Sequence, residues 1–247
     1  MKQTKVSVIV PDYKTQRFLK KCLESILCQT LKDIEVIVVD EGDMDECRSI
    51  IDYFESVDKR VIAPHTKNGG YGASCNKGID MAKGEYIAIV ESDDFIEPSM
   101  YEELYEYAKK VNADVVKSPY YEYFDELDGE RDVKRVCAYG DYITSSVPDG
   151  RTFSMKNFPQ LLTVHASLWT GLYRTGYMRE KNIRFVTAKG GAYVDVGFRI
   201  DTLVNTEKVA WYPVPFYDYR ITNEDSTTNN FNLSSMISRW EEVYKKY

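Results

Sequence analysis

The first 118 residues alternate between short apolar runs and longer segments with helical spacing. The runs at residues 5–11 and 34–40 are rich in Val and Ile, which is typical of strands buried on both faces. Between them, residues 15–29 place apolar side chains three and four positions apart, which predicts an amphipathic helix. The alternation continues with strands predicted at residues 60–63, 85–90 and 113–118, and with helices predicted from a Gly-rich turn to residue 82 and over residues 98–111.

Strands that alternate with helices predict an α/β fold with a mostly parallel, Rossmann-like sheet covered on both faces. Such a sheet binds ligands at the C-terminal ends of its strands, near the point where the strand order reverses. Polar segments follow three of the predicted strands, namely Asp12-Tyr13, Asp40-Glu41 and Glu91-Ser92-Asp93-Asp94. We therefore expect the ligand site where these segments meet.

From about residue 119 the regular alternation stops. Residues 120–125 and 132–139 predict an antiparallel hairpin or an irregular aromatic excursion. Further elements are predicted as helices at residues 175–182 and 195–206, strands at 208–212 and 216–220, and an amphipathic helix at the end of the chain. We interpret residues 119–247 as an elaboration on the sheet begun by residues 1–118, so that both halves form one domain.

Composition narrows the classes of function. The 247 residues carry a formal charge of -7 and a pI of about 5.1, which argues against coating nucleic acid or adhering to anionic membranes. No apolar run approaches the roughly 20 residues that span a bilayer. The first residues lead directly into a strand without the apolar core of a signal peptide. These features predict a cytoplasmic protein.

Cysteine and histidine usage limits the chemistry. The five cysteines are odd in number and form no CxxC pair, so neither a disulfide framework nor a zinc site is predicted. His65 and His165 are the two histidines of the chain. Any acid–base or metal chemistry is therefore expected to depend on carboxylates.

The acidic turn Glu91-Ser92-Asp93-Asp94 has two interpretations. Three carboxylates in four residues repel one another unless positive charge lies between them. Mg²⁺ or Mn²⁺ meets that need, with one or two carboxylates and substrate phosphates as ligands. Alternatively, the acids are placed at the N-terminal end of the helix predicted near Pro98, where the helix dipole favours them.

Two further segments are open to a functional or a structural interpretation. The run from Asn68 to Gly78 can cradle a phosphate, although it is neither a P-loop nor a dinucleotide fingerprint, and a tight turn into a helix explains it better. Asp40 and Glu41 can accept hydrogen bonds from a base or ribose, or they can be solvated loop acids. Tyr13 can stack on a base.

Taken together, the segments VSVIVPDYKTQRFLKKCLESILCQTLKDIEVIVVDEGDMDE and NGGYGASCNKGIDMAKGEYIAIVESDDFIEPSMYEELY resemble the N-terminal half of the inverting family 2 glycosyltransferases. Four blocks match in order and spacing over about 100 residues. The later segments HASLWTGLYRTGYMREKNIRF, AYVDVGF and FYDYRITNEDS resemble the acceptor-side half of bacterial members that build cell-surface polysaccharides. The resemblance implies the GT-A fold, a three-layer α/β/α sandwich.

The resemblance implies a donor site for a nucleotide-diphospho-sugar, with a UDP-sugar favoured. Tyr13, Asp40 and Glu41 would hold the base. Glu91 and Asp93 would lie at the ribose and diphosphate, and Asp93 and Asp94 at a bridging Mg²⁺ or Mn²⁺. The other donor-binding positions that it implies are Pro11, Asn68, Gly69, Gly70 and Asn76.

The resemblance also implies that Asp195 is the catalytic base. It would take the proton from an acceptor hydroxyl during a single displacement with inversion. From the residues alone, an N-cap of the following helix is the favoured role for Asp195. The implied acceptor is a glycan or a lipid-linked molecule at the cytoplasmic face of a bacterial membrane, with peripheral membrane contact at most.

Four positions depart from the family pattern: Glu41 and Glu91 stand where Asp is usual, Cys75 where Arg is common, and Val194 where an acid or amide is typical. These departures leave open a catalytically silent subunit that binds nucleotide-sugar. A sugar nucleotidyltransferase is a second alternative, although the expected Gly-rich loop with a basic residue is absent after the first strand.

Tyrosines are clustered around the predicted helix after the acidic turn. Aromatic faces there can line a glycan groove, but packing of the helix face explains them more simply. The cluster consists of Tyr101, Tyr105, Tyr107, Tyr120, Tyr121 and Tyr123.

Overall fold

The computed structural model describes residues 3–42, 46–125, 132–187, 193–223 and 233–246. Within these ranges the strands are β1 (Val6–Asp12), β2 (Ile34–Asp40), β3 (Val61–Ile62), β4 (Tyr86–Ile89), β5 (Phe95–Ile96), β6 (Val115–Lys117), β7 (Tyr121–Phe124), β8 (Val133–Val136), β9 (Gly171–Arg174), β10 (Val209–Trp211) and β11 (Tyr217–Arg220). The α-helices are α1 (Gln16–Leu27), α2 (Glu46–Val57), α3 (Tyr71–Met81), α4 (Met100–Val111), α5 (Gly140–Ser146), α6 (Thr175–Glu180), α7 (Val194–Val204) and α8 (Leu233–Lys246).

A seven-stranded sheet with the order β10-β6-β9-β4-β1-β2-β3 forms the centre of the fold. Strands β1, β2, β3 and β4 run parallel. Every residue of β1 and β2 is buried, which confirms the prediction of central strands covered on both faces. The strand order reverses between β1 and β4, because β2 and β3 lie to one side and all later strands to the other.

The second half of the chain completes this sheet. Strand β9 inserts antiparallel between β4 and β6, and β10 pairs parallel with β6. A long-range hydrogen bond from Arg174 N to Asp114 O (2.7 Å) ties the two halves together. Strands β9 and β10 thus lie in the sheet begun by residues 1–118, as the interpretation of residues 119–247 as an elaboration of that sheet expects; the division into domains stays a prediction.

That interpretation is wrong for the hairpin, which belongs to a second sheet. Strands β7 and β8 pair antiparallel as predicted, but with β11 and β5 they form a four-stranded sheet of their own. The connection at residues 126–131 lies outside the described residues. Strand β5 was missed because its two residues, Phe95 and Ile96, are too short to give a period-two pattern.

Helix α4 begins at Met100, two residues after the predicted start at Pro98. The Pro98 carbonyl instead accepts a hydrogen bond from Thr30 N at 2.8 Å, which holds this segment against the end of α1. Helix α3 packs directly on the sheet. A Cβ at Gly78 would lie 2.4 Å from Cγ2 of Ile9, so only glycine permits this approach.

None of the helices in the described ranges combines the length and the apolar character that crossing a bilayer requires.

Strand β11 carries a buried aspartate, Asp218, whose Oδ1 lies 2.8 Å from Nζ of Lys134 on β8. Burial raises the pKa of Asp218 to about 6, although Lys134 opposes the shift. Because the folded protein holds this proton more tightly than the unfolded chain, the contribution of Asp218 to stability is greatest at low pH. It is lost as the pH rises through about 6.

We therefore expect Asp218→Asn to be more stable than the wild type at pH 7.5, by on the order of 2 kcal/mol. The advantage should shrink as the pH falls through about 6 and vanish near pH 2.5, below the ordinary Asp pKa of 3.8, where the wild-type carboxyl is neutral in both states. Urea unfolding at the two pH values measures the difference. An equal difference at both would contradict the assignment.

Candidate active site

The polar segments after the parallel strands meet at one edge of the sheet, as the sequence predicts. Asp12 pairs in register with Asp40 at the ends of β1 and β2. Ile9 pairs with Ile89, so that Glu91 follows the end of β4 at the same edge. Asp12, Asp40 and Glu41 are all buried there. The site thus lies beside the reversal of strand order, where α/β sheets bind ligands.

Asp40 is held inside the protein. Its Oδ1 accepts a hydrogen bond from Gly42 N at 2.7 Å, and its Oδ2 lies 3.3 Å from Arg48 Nε and 2.7 Å from His65 Nδ1. His65 in turn places Nε2 3.2 Å from Oδ1 of Asp52. Asp40 is therefore fixed in orientation, and its predicted contact with a base would use the lone pairs that remain.

The glycine-rich run is a turn into a helix, one of its two interpretations. Gly70, with φ 87°, is the N-cap residue of α3. Its N–H donates to Oδ1 of Asn68 at 3.1 Å, and Gly69 N donates to Oε1 of Glu41 at 3.0 Å. Glu41 therefore ties the end of β2 to this turn, and two of the N–H groups expected for a phosphate are already engaged.

The remaining predicted donor positions differ in accessibility. Pro11 is buried within β1, whereas Tyr13 has 48% of its surface exposed at the site edge and is free to stack on a ring. Asn76 uses both ends of its amide on the backbone of Phe185, at 2.9 Å each. That contact fully accounts for Asn76 without a ligand, so its donor-binding role stays a prediction.

The acidic turn is bound by β11. Tyr217 donates its hydroxyl to Oδ2 of Asp94 at 2.8 Å and accepts a hydrogen bond from Glu91 N at 3.1 Å. Arg220 N donates to Oδ1 of Asp94 at 2.8 Å. Both oxygens of Asp94 thus have protein donors. Burial and the nearby charge of Asp93 raise the pKa of Asp94 well above its usual range.

Asp93 is less constrained. Its Oδ2 accepts a hydrogen bond from Nδ2 of Asn223 at 2.7 Å, and its backbone carbonyl accepts one from Arg220 Nε at 2.9 Å. The guanidinium of Arg220 thus lies beside the turn, where it also pairs with Asp125. The metal interpretation of the turn stays a prediction. The helix-dipole alternative fails, since β5 separates the turn from α4.

Glu91 is a largely protonated acid. Burial, together with the charges of Asp93 and Asp195, raises its pKa to about 8, although a hydrogen bond from Tyr71 opposes the shift. The Tyr71 hydroxyl donates to Oε1 of Glu91 at 2.6 Å. At neutral pH the three acids therefore do not all carry charge unless a cation is added.

Asp195 lies in the first turn of α7, after Tyr193 as N-cap residue, and no side chain caps this helix. The N-cap alternative for Asp195 is therefore wrong. Phe198 of the same helix stacks on Phe185 at 4.0 Å, and Phe185 contacts Tyr71. This packing brings α7 to the acidic turn.

The influence of Asp195 on the pKa of Glu91 reports the same proximity. Among the described residues, no hydrogen-bond donor binds the Asp195 carboxylate. Its oxygens are therefore available to a ligand.

The tyrosine cluster after the acidic turn is packing, not a groove. Five of its six members have at most a tenth of their surface exposed: Tyr101, Tyr105, Tyr107, Tyr120 and Tyr123. The simpler of the two interpretations is thus correct.

Several residues that build the site were not singled out from the sequence. Tyr217 and Arg220 bind the acidic turn from more than 120 positions away, and Tyr71 and His65 bind Glu91 and Asp40. The detectable signal was the segment FYDYRITNEDS, whose polar residues alternate with aromatic ones in a strand that faces the turn.

A profile of the family described as "Glycosyl transferase family 2" matches residues 7–180. The chain belongs to glycosyl transferase family 2. The matched region contains the end of β2 and the acidic turn, and it ends before Asp195. The sugar nucleotidyltransferase alternative is set aside by this membership.

Curated relatives agree with the family. The chain is 38% identical over 246 residues to an uncharacterized glycosyltransferase, EpsJ, of Bacillus subtilis, covering 97% of this chain and 67% of EpsJ. It is 47% identical over 125 residues to the glycosyltransferase GlyG of Streptococcus pneumoniae, covering 50% of this chain and 41% of GlyG. The chain spans 30% to 65% of the length of GlyA of S. pneumoniae and EpsH of B. subtilis.

Solved structures share the fold. The structure of S. aureus TarS 1-349 in complex with UDP-GlcNAc superposes with a TM-score of 0.75 at 19% identity, over 97% of this chain and 65% of TarS 1-349. The mannosyltransferase PcManGT from Pyrobaculum calidifontis, in complex with GDP-Man and Mn²⁺, superposes with a TM-score of 0.52 at 17% identity, over 87% of this chain and 58% of that one. The predicted GT-A fold is confirmed.

The family implies a divalent cation, and the side chains of the acidic turn can provide one ligand for it. Oδ1 of Asp93 has no donor in the described ranges, whereas both oxygens of Asp94 are engaged. No group of three or more His, Cys, Asp or Glu side chains there could hold an ion by itself. Asp93 therefore fits a family 2 metal site whose other ligands come from the diphosphate and water.

The dependence of the acidic turn on Tyr217 is testable. Tyr217→Phe keeps the ring but removes the hydroxyl that joins Glu91 N and Asp94, which should lower the free energy of unfolding by about 1–3 kcal/mol. Tyr101→Phe is the matched control, because Tyr101 is equally buried and its hydroxyl has no hydrogen-bond partner in the described part of the chain. Urea unfolding compares them. Equal stability of the two variants would refute this role of Tyr217.

Proposed function

We propose that this chain transfers a sugar from a nucleotide-diphospho-sugar, a UDP-sugar, to a hydroxyl of a glycan or lipid-linked acceptor in bacterial surface polysaccharide synthesis. The observation that carries the proposal is the convergence of two different carboxylates. Asp93, which follows β4, has a carboxylate oxygen without a donor in the described ranges. Asp195 likewise has no donor there, and it lies on α7, the helix that packs toward the acidic turn through Phe198 and Phe185. Asp93 can contact the diphosphate of the donor, and Asp195 can contact the acceptor hydroxyl.

The donor side rests on the edge of the sheet. Tyr13 is exposed for stacking on the base, with Asp40 and Glu41 fixed behind it. Glu91 and Asp93 would contact the ribose and the diphosphate. TarS is bound to UDP and UDP-GlcNAc in its structures, which favours a uridine nucleotide here. The membrane-face setting rests on the family resemblance alone.

In the proposed reaction, the Asp195 carboxylate accepts the proton of the acceptor hydroxyl. The acceptor oxygen forms a bond to the anomeric carbon as the bond from that carbon to the diphosphate oxygen breaks. The electron pair leaves with the nucleoside diphosphate, and the single displacement inverts the anomeric centre. Mg²⁺ or Mn²⁺, when bound at Asp93, would supply positive charge to the departing diphosphate.

A silent nucleotide-sugar-binding subunit is the second candidate. Two observations favour it: Cys75, at a position where relatives commonly have Arg, is fully buried, and Glu91 is bound to Tyr71 rather than open to the site. Such a subunit would bind the donor without turnover.

The test is a panel of UDP-, GDP- and TDP-sugars with Mn²⁺, Mg²⁺ or EDTA, followed by thermal stabilisation and by release of nucleoside diphosphate. We expect metal-dependent stabilisation and turnover with a UDP-sugar. Asp195→Asn should keep the stabilisation but lower turnover by about 10²–10⁴-fold, because the general base is lost.

The control is Asp149→Asn, which changes an exposed aspartate shortly after α5 and should behave as the wild type. Stabilisation without turnover, unchanged in Asp195→Asn, would establish the silent subunit instead. If no nucleotide stabilises the protein in the presence of metal, both candidates are refuted.

A further inference from the structure

The loop before β9 places a histidine beside the proposed base. Arg199 lies one helical turn after Asp195 on α7, so that both side chains share one face of the helix. Arg199 Nη1 donates to the carbonyl of Val164, the residue before His165. His165 is therefore held next to the helix face that carries Asp195. Burial lowers the pKa of the imidazole, and the negative charge of Asp195 opposes that shift.

Two buried cations fix this loop. Lys117, at the end of β6, donates to the carbonyls of Ala166 and Ser167. Arg199 holds the carbonyl of Val164 from the other side. Both side chains are more than nine-tenths buried. The backbone around His165 thus has three carbonyls bound by cations, which is a rigid arrangement for an exposed loop residue.

The tautomer of His165 is also fixed. Ser167 N donates to Nδ1 of His165 at 3.1 Å, and Ser167 adopts a left-handed conformation with φ 34° that brings its N–H to the ring. A neutral imidazole that accepts at Nδ1 carries its proton on Nε2. Burial by the surrounding protein and the charges of Lys117 and Arg199 lower the pKa of His165, which favours this neutral form.

The imidazole has no other polar partner in the described ranges. Part of the residue stays exposed, and its ring centroid lies 6.2 Å from those of Trp169 and Tyr219. Trp169 stacks on Tyr217 at 4.1 Å, the residue that binds the acidic turn. His165 is thus connected by packing to the donor side and by α7 to Asp195, with Nε2–H left for a ligand.

Resting on the proposed function, we propose that His165 is an acceptor-binding residue. Its Nε2–H donates a hydrogen bond to an acceptor oxygen beside the hydroxyl that Asp195 deprotonates. The hydrogen-bond donor of His165 and the base Asp195 together suit an acceptor with two neighbouring oxygens, such as a sugar or another polyol. An acceptor with an isolated hydroxyl would use Asp195 alone.

The first test does not need turnover. Because the chain has only two histidines, ¹⁵N-imidazole NMR resolves both rings, and His165→Gln assigns them. We expect His165 to carry its proton on Nε2 at pH 7.5. We also expect its pKa to fall in Asp195→Asn, while the His65 pKa stays nearly constant as the internal control. A proton on Nδ1, or an unchanged His165 titration in Asp195→Asn, would overturn the proposal.

The second test separates acceptor binding from donor chemistry. The sugar donor found active in the panel is supplied with p-nitrophenyl glycosides as acceptors, and transfer is compared with hydrolysis of the donor by water. His165→Ala should raise the acceptor KM about tenfold and leave hydrolysis unchanged, as expected for loss of one hydrogen bond. His165→Gln should retain part of the affinity, because its amide N–H can replace Nε2–H.

Tyr53→Ala, an exposed aromatic on α2, is the control and should change neither reaction. Equal loss of transfer and hydrolysis in His165→Ala would show a structural role and refute the proposal. An acceptor KM that stays at the wild-type value would refute it as well. Absence of any turnover by the wild type would count against the proposed function, whereas the NMR result would still decide on the His165–Asp195 pair.

Discussion

The hydrogen bonds from β11 to the acidic turn hold the site together. Tyr217 and Arg220 satisfy Asp94 from positions 123 and 126 residues later in the chain, and the Arg220 side chain donates to the backbone carbonyl of Asp93. Without these contacts, three acids in four residues would repel one another at the end of a buried strand. Because Tyr217 also stacks on Trp169, the same strand joins the acidic turn to the loop before β9. The small second sheet holds β11 beside the acidic turn.

This arrangement reduces the negative charge that the acidic turn presents to a ligand. Neutral donors on β11, the Tyr217 hydroxyl and the Arg220 backbone N–H, bind both oxygens of Asp94, whereas Asp93 keeps an unbound carboxylate oxygen at the turn. Glu91 is held by Tyr71 in a buried position where its neutral form is favoured. A donor diphosphate therefore meets fewer negative charges than the sequence suggests.

The central fold was accessible from the sequence because β1, β2 and β4 are local patterns of apolar residues with helices between them. The convergence of Asp40, Glu41 and Glu91–Asp94 followed from the common polarity of parallel strands. The partners of these acids did not follow, because they depend on the pairing of β5, β7, β8 and β11, whose short strands leave weak periodic signals. The pairing of Asn76 with Phe185 and of Asp40 with His65 likewise depends on three-dimensional packing.

A crystal structure of the protein with UDP-GlcNAc and Mn²⁺ tests the central claim most directly. The account predicts the uridine between Tyr13 and Asp40, the diphosphate at Asp93 with Asp94 still bound to β11, and the anomeric carbon facing Asp195 across an open acceptor space beside His165. A nucleotide bound away from the carboxyl edge of β1, β2 and β4 would contradict it. So would a complex in which Asp195 points away from the anomeric carbon.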